Sequence, residues 1–170
     1  TGALLVRDGR RLLVSHATGA DYLQDTLGVD QELSPADLSP ELTKHFRGLR
    51  FWLPLQVLGV APFRAALSEK IRLARHFHER LSAVRGFEVG PYPDLSVVTY
   101  RYLPKRGDVD AFNRALLAAM HEDGRVFVTS TQLDGKFTLR MAAVCFRTHL
   151  ADIETAVEVL VETARRLGDE

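Results

Sequence analysis

Six histidines, one cysteine and a run of basic residues are the side chains of this 170-residue sequence with the most chemical potential. His76 and His78, two positions apart on a helical pattern, sit about 200° apart around the axis and cannot chelate one ion together. That spacing puts one half-buried and the other in solvent. His45, His121 and His149 fall on three separate elements, and no acidic partner stands at metal-site spacing, so no metal site is expected. Lys44, His45, Arg47 and Arg50 concentrate positive charge on two helical turns, which suits either phosphate or carboxylate binding or a solvated face. Arg140 interrupts an apolar strand and Arg147 follows just beyond it. Charges in that setting are expected to pair with a carboxylate or a partner subunit, because burial alone is costly. Cys145 reads as a packed small residue rather than a nucleophile, since local spacing sets no His or basic group beside it. No phosphate-cradling glycine-rich loop, Ser-His-Asp order or paired-carboxylate signature is present.

Composition narrows the class. A chain 46% hydrophobic and 26% charged is globular rather than disordered. Lys+Arg 22 against Asp+Glu 22 leaves no global basic field, so neither nucleic acid nor an anionic membrane is an expected partner. A single cysteine excludes an intrachain disulfide and reads as a reducing, cytoplasmic compartment. No apolar run approaches the roughly 20 residues that span a bilayer, and no signal peptide opens the chain. Thr1-Gly2-Ala3-Leu4-Leu5-Val6 begins in mid-strand, so upstream residues are expected and the sequence reads as a fragment.

The elements that would position these residues follow from periodicity. Residues 3–6 and 12–14 are apolar runs around Asp8-Gly9, a hairpin signal. Residues 15–41 lose all pattern and hold one aromatic, Tyr22; long loops of this kind are mobile or functional. Ser39 and Pro40 open a helix carrying Leu42, Phe46, Leu49 and Leu53, which Pro54 kinks or ends. Pro62 opens a longer one with the stripe Phe63, Leu67, Ile71, Ala74, Phe77 (or His78), Leu81 and Val84, opposite Glu69, Lys70, Arg72, Arg75 and Glu79. Strands follow at 87–89 and 95–103, then a helix over 108–121 with Val109, Phe112, Leu116 and Ala119 inward. Strands at 126–133 and 137–144 join at Asp134-Gly135. Thr148 caps a last helix with the stripe Ile153, Val157, Leu160 and Ala164. The order β-β-α-β-β-α predicts an α+β fold, a mostly antiparallel sheet covered on one face by helices. Two functions remain open on pattern alone: a regulatory or binding module, and the small domain of a larger enzyme.

Specific strings carry the reading further. Gly2-Ala3-Leu4-Leu5-Val6-Arg7-Asp8, Asp21-Tyr22-Leu23 and Phe46-Arg47-Gly48-Leu49-Arg50-Phe51-Trp52 come first. Gly59-Val60, Asp134-Gly135-Lys136-Phe137-Thr138-Leu139-Arg140 and Phe146-Arg147-Thr148 follow in order. Together they resemble successive landmarks of the group II pyridoxal-phosphate-dependent amino-acid decarboxylases, over essentially the whole chain. The resemblance implies a type I, aspartate-aminotransferase-like fold. Residues 1–48 would be the end of its large domain and 49–170 its C-terminal small domain. It also implies pyridoxal 5'-phosphate as cofactor, an L-amino-acid substrate of aromatic or similar size, and a homodimer. The family's Schiff-base lysine, phosphate loop, ring-nitrogen aspartate and stacking histidine have no counterpart in these residues. They would belong to an N-terminal remainder of the same enzyme.

By the same resemblance, Tyr22 matches the tyrosine of a mobile loop that closes over the neighbouring subunit's site. There it protonates the Cα carbanion left by decarboxylation. A loop tyrosine anchored by packing is the alternative. Thr43 matches a position that reaches the partner's substrate pocket and is Gly or Ser in the aromatic and histidine enzymes; it also fits a plain helix-face residue. Lys44-His45 departs from the usual Arg-Arg.

Overall fold

The computed structural model describes residues 4–16, 38–41 and 45–169. The chain forms two compact units, Thr1–Val60 and Ala61–Glu170. The break in packing thus falls at 60/61, whereas the resemblance puts the domain boundary at 48/49.

In the first unit the expected hairpin is not formed. Helix α1, Arg10–His16, starts at the expected turn. The Asp8 carboxylate accepts the Arg10 N–H at 3.1 Å and the Asp8 carbonyl accepts the Arg11 N–H at 3.1 Å. Asp-Gly suits a helix start as well as a hairpin turn. A strand also needs a neighbour for its backbone groups, and no strand lies in this unit among the described residues. Nor does a helix begin at Ser39-Pro40: residues 38–41 form a short turn, and 45–48 are not helical. Helix α2, Leu49–Leu58, instead starts after Gly48, whose carbonyl accepts from Trp52 N–H at 2.8 Å. Pro54 lies inside α2, where its missing N–H leaves the Arg50 carbonyl without a helical donor. Gly59 ends it at φ 74°.

The second unit is built around a four-stranded sheet. Its elements are α3 (Ala61–Ser82), β1 (Phe87–Val89), β2 (Val97–Tyr102), α4 (Val109–Asp123), β3 (Thr129–Leu133), β4 (Lys136–Ala142) and α5 (Leu150–Asp169). The strand order is β1-β2-β4-β3 and every pairing is antiparallel, so the α+β expectation holds. The β3–β4 turn is the expected Asp134-Gly135 pair, with φ 50° and 74°, a conformation that glycine adopts without a steric penalty.

Alternation decides which face is covered. Val98, Tyr100, Leu139 and Met141 point toward the helices and are buried, while Val97, Thr99 and Arg140 point the other way. Helices α3 and α4 lie on the sheet, and α5 packs against both. The α5 stripe Ile153, Val157, Leu160 and Ala164 is buried as expected.

Three details differ from expectation. The α3 stripe runs through Lys70, Leu73, Ala74, Phe77 and Leu81, with Leu67 exposed and Lys70 on the buried face. In α4 the deep positions are Asn113, Leu116 and Met120 rather than Val109, Phe112 and Ala119. The carboxamide explains the first of these. Asn113 accepts the Tyr102 N–H at 2.8 Å and donates to the Tyr102 carbonyl at 2.8 Å and the Val109 carbonyl at 2.7 Å. The cap of α5 is His149 instead of Thr148: Asp152 reaches back to the His149 N–H at 2.7 Å.

Candidate functional site

Tyr22, Thr43 and Lys44 lie outside the described residues. Of the basic run that follows, Arg47 pairs with Glu41 at 2.8 Å, which raises the guanidinium pKa above its already high value.

The second unit holds the described residues with chemical potential, in two places. One is the open face of the sheet. Here Arg140 is exposed, and its Nε donates to Thr129 Oγ1 at 3.0 Å across the β3–β4 pair. Of the two expected counterparts, a carboxylate or a partner subunit, no carboxylate pairs with it among the described residues. A shallow cleft of about 250 Å³ lies on the same face between Glu88, Thr99, Lys136 and Thr138. Gly90 borders it, and a side chain there would meet Thr99 Oγ1 at 2.2 Å. The basic residue of β2, Arg101, is buried and turned to the sheet's end. Its guanidinium is paired with Asp110, whose second oxygen accepts the Phe137 N–H at 3.0 Å.

The other place is the β4–α5 connection, 143–149. Lys70 holds it, donating from beneath to the carbonyls of Phe146 (3.3 Å) and Thr148, with Glu69 at 3.0 Å as counter-charge. Burying a lysine is tolerable only with such a full set of acceptors. Glu69 also meets His149 Nδ1 at 2.8 Å, and its pKa is lowered first by that contact and then by Lys70. Cys145 is exposed here rather than packed. The Thr148 N–H closes a turn onto the Cys145 carbonyl at 3.2 Å. The Arg147 backbone N–H holds the thiol pKa below its usual value, with the Arg147 side chain a smaller cause. An Arg two positions after the Cys was the available signal. Arg147 itself lies over the Phe146 ring, 5.4 Å from its centroid, rather than against a carboxylate.

His76, His78 and His121 each have a partner of their own. His76 contacts Glu154 on α5 at 2.5 Å, and His78 contacts the Gly90 carbonyl at 3.0 Å. Both rings are half-buried, where one was expected in solvent, because both flanks of α3 are covered. His121 contacts the Val128 carbonyl at 2.8 Å. Among the described residues no three His, Cys, Asp or Glu side chains are grouped to hold a metal ion. No helix among them is long and apolar enough to cross a membrane.

These residues do not form a cradle for pyridoxal phosphate. Lys70 is committed to two carbonyls and Glu69. A second cleft, lined by Tyr102, Lys105, Arg106, Phe112 and Arg165, has aromatic rings but no carboxylate for a ring nitrogen among its described residues, and the Lys136 cleft has carboxylates while its Tyr100 ring is buried in the core.

Comparison with known proteins gives the context. The chain is 30% identical over 167 residues to Tyrosine decarboxylase 2 of Arabidopsis thaliana, covering 96% of this chain and 31% of that protein. It is 28% identical to an Aromatic-L-amino-acid decarboxylase of Bacillus atrophaeus, covering 86% and 32%. The crystal structure of Oryza sativa TDC with PLP and tryptamine superposes with a TM-score of 0.80 at 26% identity, covering 95% and 35%. The chain therefore spans about a third of the length of these relatives. Residues 1–103 match the family model "Pyridoxal-dependent decarboxylase conserved domain", and the chain belongs to that family, whose cofactor is pyridoxal phosphate.

Proposed function

We propose that this chain works as the C-terminal part of a pyridoxal-phosphate-dependent L-amino-acid decarboxylase acting on an aromatic or similarly sized substrate. The family match over residues 1–103 carries the reaction class. The substrate class rests on relatives named for tyrosine and for aromatic amino acids, and on a TM-score of 0.80 to a structure holding tryptamine. The alternative, a stand-alone regulatory module, is not favoured by these matches.

On this reading the N-terminal remainder of the same enzyme supplies the cofactor site, the working unit is a cytoplasmic homodimer, and residues 1–48 close the large domain. The surface of α2 supports a larger assembly. No residue of this helix is buried, and Phe51, Trp52, Val57 and Leu58 are exposed; a helix apolar all round belongs in an interior. Tyr22 is assigned the proton delivered to the substrate Cα after carbon dioxide leaves, and Thr43 a place on the wall of the substrate pocket.

The test is Tyr22→Phe in the complete enzyme. The ring is kept, so loop packing should survive and only the phenolic proton is lost. Substrate should bind and carbon dioxide leave much as before, while amine yields to carbonyl product formed with dioxygen. Near-normal amine yield would remove Tyr22 from the mechanism. A general loop defect would raise KM and lower kcat together, with amine still the main product.

A further inference from the structure

We propose that an apolar cavity in the second unit, between the start of β3, the end of β4 and the first turns of α5, is the socket into which the N-terminal remainder of the same enzyme inserts apolar side chains. The cavity measures about 380 Å³. Met141, Ala143, Ile153 and Ala156, all core residues, form its floor, and Phe127 and Val144 line it from the rim. Phe127 is 79% exposed and Val144 72%, and Phe146, two residues on, is 71% exposed. An apolar floor continuous with the core, under apolar residues left in water, belongs to a surface that is completed by packing against something else.

Two observations choose the occupant. Polar groups around the cavity are already engaged. Asp152 accepts the His149 N–H at 2.7 Å, Arg125 is paired with Asp123 at 2.7 Å, and the Thr148 N–H closes on the Cys145 carbonyl at 3.2 Å. A small molecule needs a few converging polar groups to orient it, whereas a side chain delivered by its own backbone does not. The other observation is length. The chain spans about a third of relatives that match it almost end to end, which leaves the other two thirds of such a protein to pack around it. On the reading of this chain as the C-terminal part of a decarboxylase, on which this inference rests, that polypeptide is covalently attached. Its local concentration then favours it over a second copy. The rim is also held in place: Lys70 donates from beneath to the carbonyls of Phe146 and Thr148. A surface organised in advance loses little freedom on docking.

Cys145 lines the same cavity and its thiol is exposed in this unit, so it reports whether the cavity is covered. In the complete enzyme, alkylation of Cys145 by iodoacetamide, followed on its own peptide by mass spectrometry, should be at least about tenfold slower in the native protein than in urea. Val144→Asp places a charge at the junction and should remove most of that protection while circular dichroism shows native helix content. Phe127→p-benzoylphenylalanine keeps an aromatic ring on the rim, and irradiation should join it to a peptide upstream of Thr1 in a product of monomer mass. Cross-links solely within residues 1–170, a product of dimer mass, or none at all would overturn the proposal. So would a Cys145 that reacts as fast folded as unfolded, protection unaltered by Val144→Asp, or protection that appears only once a small molecule is added. Decarboxylation assayed on the same preparation keeps the two readings apart. An active enzyme with a freely reactive Cys145 removes the socket and leaves the decarboxylase; an inactive one with the upstream cross-link does the reverse.

Discussion

The two units use their apolar residues in opposite ways. In Ala61–Glu170, Phe77, Tyr100, Leu116, Met120, Leu139 and Leu160 are fully buried against one another, from three helices and two strands. In Thr1–Val60, Phe46, Phe51, Trp52 and Val57 stand more than half exposed, and α2 buries nothing. The difference shows where a folding code is self-contained. The second unit carries both sides of each of its contacts. Among its described residues the first shows one side, and an exposed apolar surface of that kind marks a place for something else to pack.

The largest expected effect tests that contrast directly. Phe77→Ala should destabilise the chain by about 3–5 kcal/mol in urea denaturation, from lost burial plus the cavity left behind. Trp52→Ala should change stability by no more than about 0.5 kcal/mol, as a surface substitution. Equal losses would mean that the first unit has a core of its own.

A smaller effect sharpens what makes the second unit specific. Asn113→Ala strands the N–H and carbonyl of Tyr102 between α4 and β2, and should cost about 2–3 kcal/mol. A loss below half that, measured the same way, would show that water replaces the carboxamide.

The smallest is electrostatic and lies on the α3–α5 seam. The pKa of Glu154 is lowered, chiefly by its contact with His76 and less by Arg80. A carboxylate with a depressed folded-state pKa adds stability above its ordinary range and loses that contribution as pH falls through the folded value. The half-exposed pair should be worth less than about 1 kcal/mol. Glu154→Gln should therefore be slightly less stable than the parent at neutral pH, and the gap should close in acid. A gap that stays constant down to low pH would assign the loss to packing.

Much of the second unit was legible in advance because its signals are local. Alternation in 97–102 and 136–142, the Asp134-Gly135 turn and the 153-157-160-164 spacing each depend on a few consecutive residues whose partners lie in the same unit. Lys70 was put on the solvated face, and Asn113 left out of the inward positions, for one reason: a polar side chain reads as solvated until its acceptors are known. Those acceptors lie far along the chain for Lys70, on 146 and 148, and across a helix–strand packing for Asn113. The expected hairpin around Asp8-Gly9 failed on the opposite count, a good turn with no neighbouring strand.

By itself the sequence determined the class of fold, a mostly antiparallel sheet, the buried stripe of α5 and the decarboxylase family, since periodicity, turn chemistry and motif order are written in adjacent residues. Only the tertiary structure decided that Lys70 is an interior anchor, that Cys145 is exposed beside Arg147, and that Arg140 is exposed with its Nε on Thr129. It alone brought Phe127, Val144 and Ile153 to one cavity, because these residues lie on three separate stretches of the chain and meet only when α5 packs on the other helices. Hydrogen-bond partners and charge balance are properties of groups close in space, and spacing along the chain does not encode them.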